Sequence, residues 1–247
     1  MEWRLQERLG LAARALFNAF QEAFNRFPLV LFAALWMTIG WSRMVEADFT
    51  DTPWSAQTFF TGILGVPWLL AAALFRERSV WRRPLRFLPE LPVIAGLVLF
   101  AALSPRVVDE AGSSFALRWF VLLVAGHCAI AVAPFVADSR QMNIWRFNVA
   151  ILLRTILGGI FAVALFLGLA GALFSFDELF LGGNTFDSAY GILWGCCMGL
   201  FQTLYILGGF PRDGSEADLP WLKRYPPVLR FPSQFVLTPL ALVFLSI

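Results

Sequence analysis

The chain has 247 residues, of which 59% are apolar and only 15% charged, and its mean hydropathy is +0.70. Soluble domains carry roughly 25% charged residues, so this surface is too poor in charge for a water-dispersed protein, and the composition is that of a polytopic membrane protein. A net charge of +2 with a single lysine excludes a broad basic footprint for nucleic acid.

Residues 1–26 come first. Leu5, Leu9, Ala12, Leu16, Phe20 and Phe24 recur at helical steps, with Arg4, Arg8, Arg14, Glu22 and Arg26 on other faces. This pattern predicts an amphipathic helix lying in the headgroup layer. A helix packed on the rest of the protein is the alternative. No small-x-small cleavage site follows, so a secretory signal is not expected.

Residues 27–247 are read as a transmembrane bundle of about seven spans. The segments are Phe27–Ser42, Ala56–Phe75, Leu85–Leu103, Phe115–Val136, Phe147–Phe174, Ala189–Phe210 and Phe231–Ile247. About 20 residues cross a bilayer core. Only helices suit these lengths, because backbone groups facing lipid must be bonded within their own segment. The third segment is the weakest, since Pro89, Glu90 and Pro92 interrupt its start. The expected fold is thus an all-α membrane protein, a helical bundle preceded by an amphipathic interfacial helix. The last segment ends without a polar tail, which suggests that the natural chain continues.

Placing the N-terminus in the cytoplasm puts sixteen of the nineteen basic residues inside, leaving Arg43, Arg106 and Arg118 outside. The outer loops are acidic, with Asp48, Asp51, Asp109, Asp177, Glu178 and Asp187. This orientation requires the third segment to cross. The inner loop "RERSVWRRPLR" carries Arg76, Arg78, Arg82, Arg83 and Arg86, an expected contact for anionic lipid headgroups.

Chemical motifs are scarce. One histidine cannot supply a zinc protease pair, no Gly-x-Ser-Gly loop accompanies it, no aspartate falls within a predicted span, and no phosphate loop is present. No catalytic residue, metal or cofactor is therefore assigned. Cys128, Cys196 and Cys197 lie in apolar segments without a CxxC pair and read as small buried hydrophobes.

What remains is polar groups at membrane depth: His127, Gln202, Tyr205 and Gln234. His127 is expected to be neutral and buried between helices. Three roles stay open for it: an interhelical hydrogen bond, a relay or ligand contact, and a single haem or metal ligand. Arg118 and Arg154, nearer span ends, are expected to snorkel to the headgroups. Gly191, Gly195 and Gly199 form a small-residue ridge for close helix packing, within the monomer or at a dimer seam.

Four stretches bring a family resemblance. They are "AFNRFPLVLFAAL", "AGHCAIAVAPF" with "NIWRFNVAILLRTIL", "GLFQTLYILGGFPR", and "RYPPVLRFPSQFVLTPLALVF". In that order they resemble the bacterial membrane-protein family catalogued as domain of unknown function 4153. The most specific part is Tyr225-Pro226, Arg230 and Gln234-Phe235-Val236-Leu237-Thr238-Pro239-Leu240; Pro227 departs from the pattern. The resemblance implies a multi-pass envelope protein of the bacterial cytoplasmic membrane and carries no known activity.

Three functions follow as expectations. The first is a transport or small-ligand-binding bundle using His127, Gln202, Tyr205 and Gln234. The second is a non-catalytic scaffold or subunit of an envelope complex, with a membrane-protein partner or a second copy. The third is an enzyme acting on lipid or envelope intermediates around Asp177, Glu178 and Asp187.

Overall fold

The computed structural model describes residues 20–49, 54–78, 87–104, 112–136, 141–181 and 187–210. The described residues form helices and turns, with no strand among them. The helices are α1 (Pro28–Glu46), α2 (Ser55–Arg78), α3 (Glu90–Leu103), α4 (Ser113–Val132), α5 (Gln141–Phe176) and α6 (Asp187–Leu207). Five of these, all but α3, are long and apolar enough to cross a membrane. The segment expected at Phe231–Ile247 lies outside the described residues. Of the expected interfacial helix, 20–26 is helical and runs into α1, with Phe27 N bonded to Ala23 O and Leu31 N to Phe27 O. Residues 1–19 lie outside the described residues.

Prolines place several boundaries. Pro28 opens α1 at a position whose N–H would be unpaired anyway. Pro92 falls in the first turn of α3, where it costs no helical bond, so the Pro-Glu-Leu-Pro stretch starts this helix rather than breaking it. Pro134 turns the end of α4 into a short 3-10 segment, Ala133–Phe135.

The helices alternate in direction. The start of α1, the ends of α2 and α4, and the starts of α3 and α5 meet the residues that follow α6 at one end of the bundle. There Phe27, Phe135, Phe147 and Phe210 pack edge to face in a chain, with centroids 5.3–5.8 Å apart. Phe27, Phe147 and Phe210 form one core cluster with Val30, Leu31, Leu69, Leu70, Leu74 and Leu207. We call this end of the bundle the aromatic end.

α2 is the most buried span and packs on α1, α3 and α4. Its contact with α1 is close because glycines remove side chains from it. A Cβ on Gly40 would lie 2.5 Å from Phe59 N, and one on Gly62 would lie 2.5 Å from Met37 N. Backbone approach of this kind suits helices in lipid, where packing rather than water exclusion drives association. The other flank of α1 carries α6, and α5 packs on α6.

α3 is short but reaches both ends of α2. At the aromatic end Glu90 pairs with Arg76. At the opposite end Gln57 Nε2 donates to Ser104 O at 3.0 Å. By sequence Glu90 interrupts the start of this segment. Instead it is buried with its partner and fixes the helix in place.

Candidate functional site

Charged side chains gather at the aromatic end, on elements that alternation brings together. Arg26 forms a two-pronged ion pair with Glu77, Nε to Oε1 at 2.6 Å and Nη2 to Oε2 at 2.7 Å. Its Nη1 donates to Phe210 O at 2.8 Å. Arg76 donates to Glu90 and, through Nη2, to Arg26 O at 2.9 Å. One network thus ties the entry of α1, the end of α2, the start of α3 and the exit from α6. Guanidinium groups suit this work because their five donors lie in one rigid plane. Rings cover the charges: Arg76 lies over Phe87 at 5.1 Å and Arg26 over Phe27 at 4.8 Å.

A third arginine closes α6. Arg154 Nε donates to Tyr205 O at 3.2 Å and Ile206 O at 3.0 Å, and its guanidinium lies over the Tyr205 ring. The last carbonyls of a helix have no partner inside it and carry its negative pole. Arg154 supplies both the donor and the positive charge. Gly209 makes room, since a Cβ there would lie 1.6 Å from Arg154 Nη2.

The expected ligand residues stand apart. His127 is exposed on α4, and its Nδ1 donates to Leu123 O of the same helix at 2.8 Å. That corrects the expectation of burial between helices: α4 turns Gly126, not His127, toward Pro67 and Trp68 of α2. Gln202 and Tyr205 face α5, where a Cβ on Gly158 would meet both and one on Gly159 would meet Gln202, and Tyr205 packs on Phe161. Gln234 lies outside the described residues.

The basic loop is also changed. Arg76 was expected at the headgroups, but it is buried in the Glu90 pair, so its charge is already used. The side chain of Arg78 and residues Arg82, Arg83 and Arg86 lie outside the described residues. Arg154 does not reach for headgroups through Nε but for backbone carbonyls.

The glycine ridge of α6 is filled by α1. A Cβ on Gly191 would meet Val45 at 2.6 Å, one on Gly195 would meet Trp41 at 2.2 Å, and one on Gly199 would meet Thr38 Oγ1 at 2.6 Å. Trp41 Nε1 also donates to Gly191 O at 2.7 Å. This face is therefore not open to a second copy. The wide π turn at Cys196–Phe201 lies along the same contact.

Five hydroxyl groups bond locally. Thr38, Ser42, Thr58, Ser104 and Thr203 each donate to the carbonyl four residues earlier. Asp177 is buried, while Glu178 and Asp187 are exposed. Cys197 is buried as expected for a small hydrophobe, whereas Cys128 and Cys196 are exposed on their helices. Among the described residues no three His, Cys, Asp or Glu side chains group as metal ligands.

No family model, curated protein or solved structure matches the chain.

Arg26, Glu77, Glu90 and Arg154 were not singled out from the sequence as a site. One signal was available for Glu90. A carboxylate inside an apolar segment needs a cation, and the preceding loop is rich in them.

Proposed function

We propose that the chain is a multi-pass subunit of the bacterial cytoplasmic membrane, a non-catalytic scaffold that joins another membrane protein or a second copy through α4. The observation carrying this reading is the outward placement of His127. The Nδ1–H is used on Leu123 O, so in the neutral ring Nε2 is an acceptor on an apolar outer face. A polar atom at that depth favours a partner that offers a donor. The transport reading expected the four polar groups to share a cavity, and His127 lies away from the Gln202–Tyr205 contact with α5.

The finer topology belongs to the same proposal. The aromatic end carries Arg26, Arg76 and Arg154, which supports placing it and the N-terminus in the cytoplasm. α3 acts as the third crossing, the Phe231–Ile247 segment as the seventh, and residues 1–26 as an interfacial helix.

Cys128 provides the test because it is exposed beside His127. Treating native membranes with a short bis-maleimide should give one discrete larger species containing this chain. That species should vanish in Cys128→Ser and weaken in His127→Leu. Monomer alone at every reagent concentration would overturn the scaffold reading.

A further inference from the structure

We infer that α3 holds the bilayer beside it thinner than elsewhere around the protein, so that this face selects short hydrocarbon. The inference does not depend on the scaffold reading.

Two bonds fix α3 along its axis. Arg76 and Glu90 hold its start, with side chains only 5% and 2% exposed. Gln57 holds Ser104 at its other end. A helix anchored at both ends to the same neighbour cannot slide to centre itself in a thicker membrane. Between the anchors α3 has 14 residues, or about 21 Å of helix against a hydrocarbon core of roughly 30 Å. Tilting only shortens its projection.

The outer face of α3 is apolar throughout. Leu91, Val98, Leu99 and Leu103 are exposed, Leu103 by 76%, and among the described residues nothing lies within 4 Å of a Cβ on Gly96. Adding the exposed Phe87 and Leu88 of the preceding turn lengthens the strip to about 24 Å at helical rise. Acyl chains are the fitting cover for such a strip, and mismatch is met by thinning when the helix cannot move. α5 contrasts with it: its uncharged run Thr155–Phe176 continues for 22 residues, about 33 Å of helix. The hydrophobic girdle is therefore uneven, shallow at α3 and deep at α5.

Depth measurement on α3 tests this. Nitroxides are placed by Leu91→Cys and by Leu103→Cys in the full chain, with Cys128→Ser, Cys196→Ser and Cys197→Ala. Each protein is reconstituted in phosphatidylcholine vesicles with fourteen-carbon or eighteen-carbon monounsaturated chains. Depth is read from collisions with oxygen and with a water-soluble nickel chelate. Both labels should stay at the interface, at the same depth in both lipids. A shift of either label into hydrocarbon in the longer lipid would overturn the inference. So would exclusion of both reagents in both lipids, because protein would then cover the face. Melting of the unmodified chain gives an independent reading: Tm should be highest in the shorter lipids, and a maximum at eighteen carbons or longer would contradict it.

Discussion

Arg76 at the end of α2 and Glu90 at the start of α3 form a buried ion pair at the aromatic end of the bundle. Removing one member leaves a buried charge, which typically costs about 3–5 kcal/mol, whereas replacing both with apolar groups is often neutral. Glu90→Gln or Arg76→Gln alone should thus lower stability strongly. The double change Arg76→Leu with Glu90→Leu should recover most of the loss. Reversible unfolding of the purified protein in mixed micelles measures all three, and a double variant as weak as the sum of the singles would contradict the pairing.

Glycine substitutions should separate filled from open positions. At Gly195 an added methyl meets the Trp41 ring at 2.2 Å, and overpacking of this kind costs about 1–3 kcal/mol. At Gly96 nothing among the described residues stands within 4 Å. Gly195→Ala should melt several degrees lower than wild type and Gly96→Ala should not, when both are followed by thermal unfolding.

Arg154 and Gly209 should behave as one unit. A side chain at 209 would displace the guanidinium from the end of α6. Gly209→Ala and Arg154→Ala should each destabilise, and the double variant should be little worse than either single one. Contacting residues commonly couple by about 0.5–3 kcal/mol. A double-mutant cycle on unfolding free energy reads the coupling, and additive losses would show that the two sites act separately.

His127 gives the opposite expectation. Its ring is exposed and bonds to Leu123 O of its own helix, so His127→Leu should change monomer stability by no more than about 0.5 kcal/mol, as at an ordinary surface position. A histidine bridging two helices would cost roughly 0.6–2 kcal/mol on removal. Unfolding of the monomer in dilute micelles distinguishes these outcomes.

The helices were legible in the sequence because their signal is simple: long uncharged runs between basic and acidic loops. Six of the expected segments correspond to α1 to α6, with ends moved by a few residues where prolines and caps act. The glycine ridge was legible as a packing face, because three small residues at four-residue spacing can do little else. Its partner was not, since the Val45, Trp41 and Thr38 stripe on α1 looks like any apolar helix face. The direction of His127 was also hidden. Where every face of α4 is apolar, periodicity cannot say which side meets α2, and Gly126 decided it by admitting the Trp68 ring. The polar network was missed because Arg26, Glu77, Glu90 and Phe210 come from distant parts of the chain and meet only through alternation.

The most direct test of that alternation is the sidedness of the two ends of α3. Single cysteines are placed by Ser79→Cys, just after α2, and by Ser114→Cys in the exposed first turn of α4, in a chain lacking its native cysteines. Intact cells with a permeable outer membrane are treated with a membrane-impermeant maleimide. Residue 114 should react at once, and residue 79 only after the inner membrane is opened. Equal reactivity at both positions would mean that α3 does not cross, and the alternating bundle would be wrong.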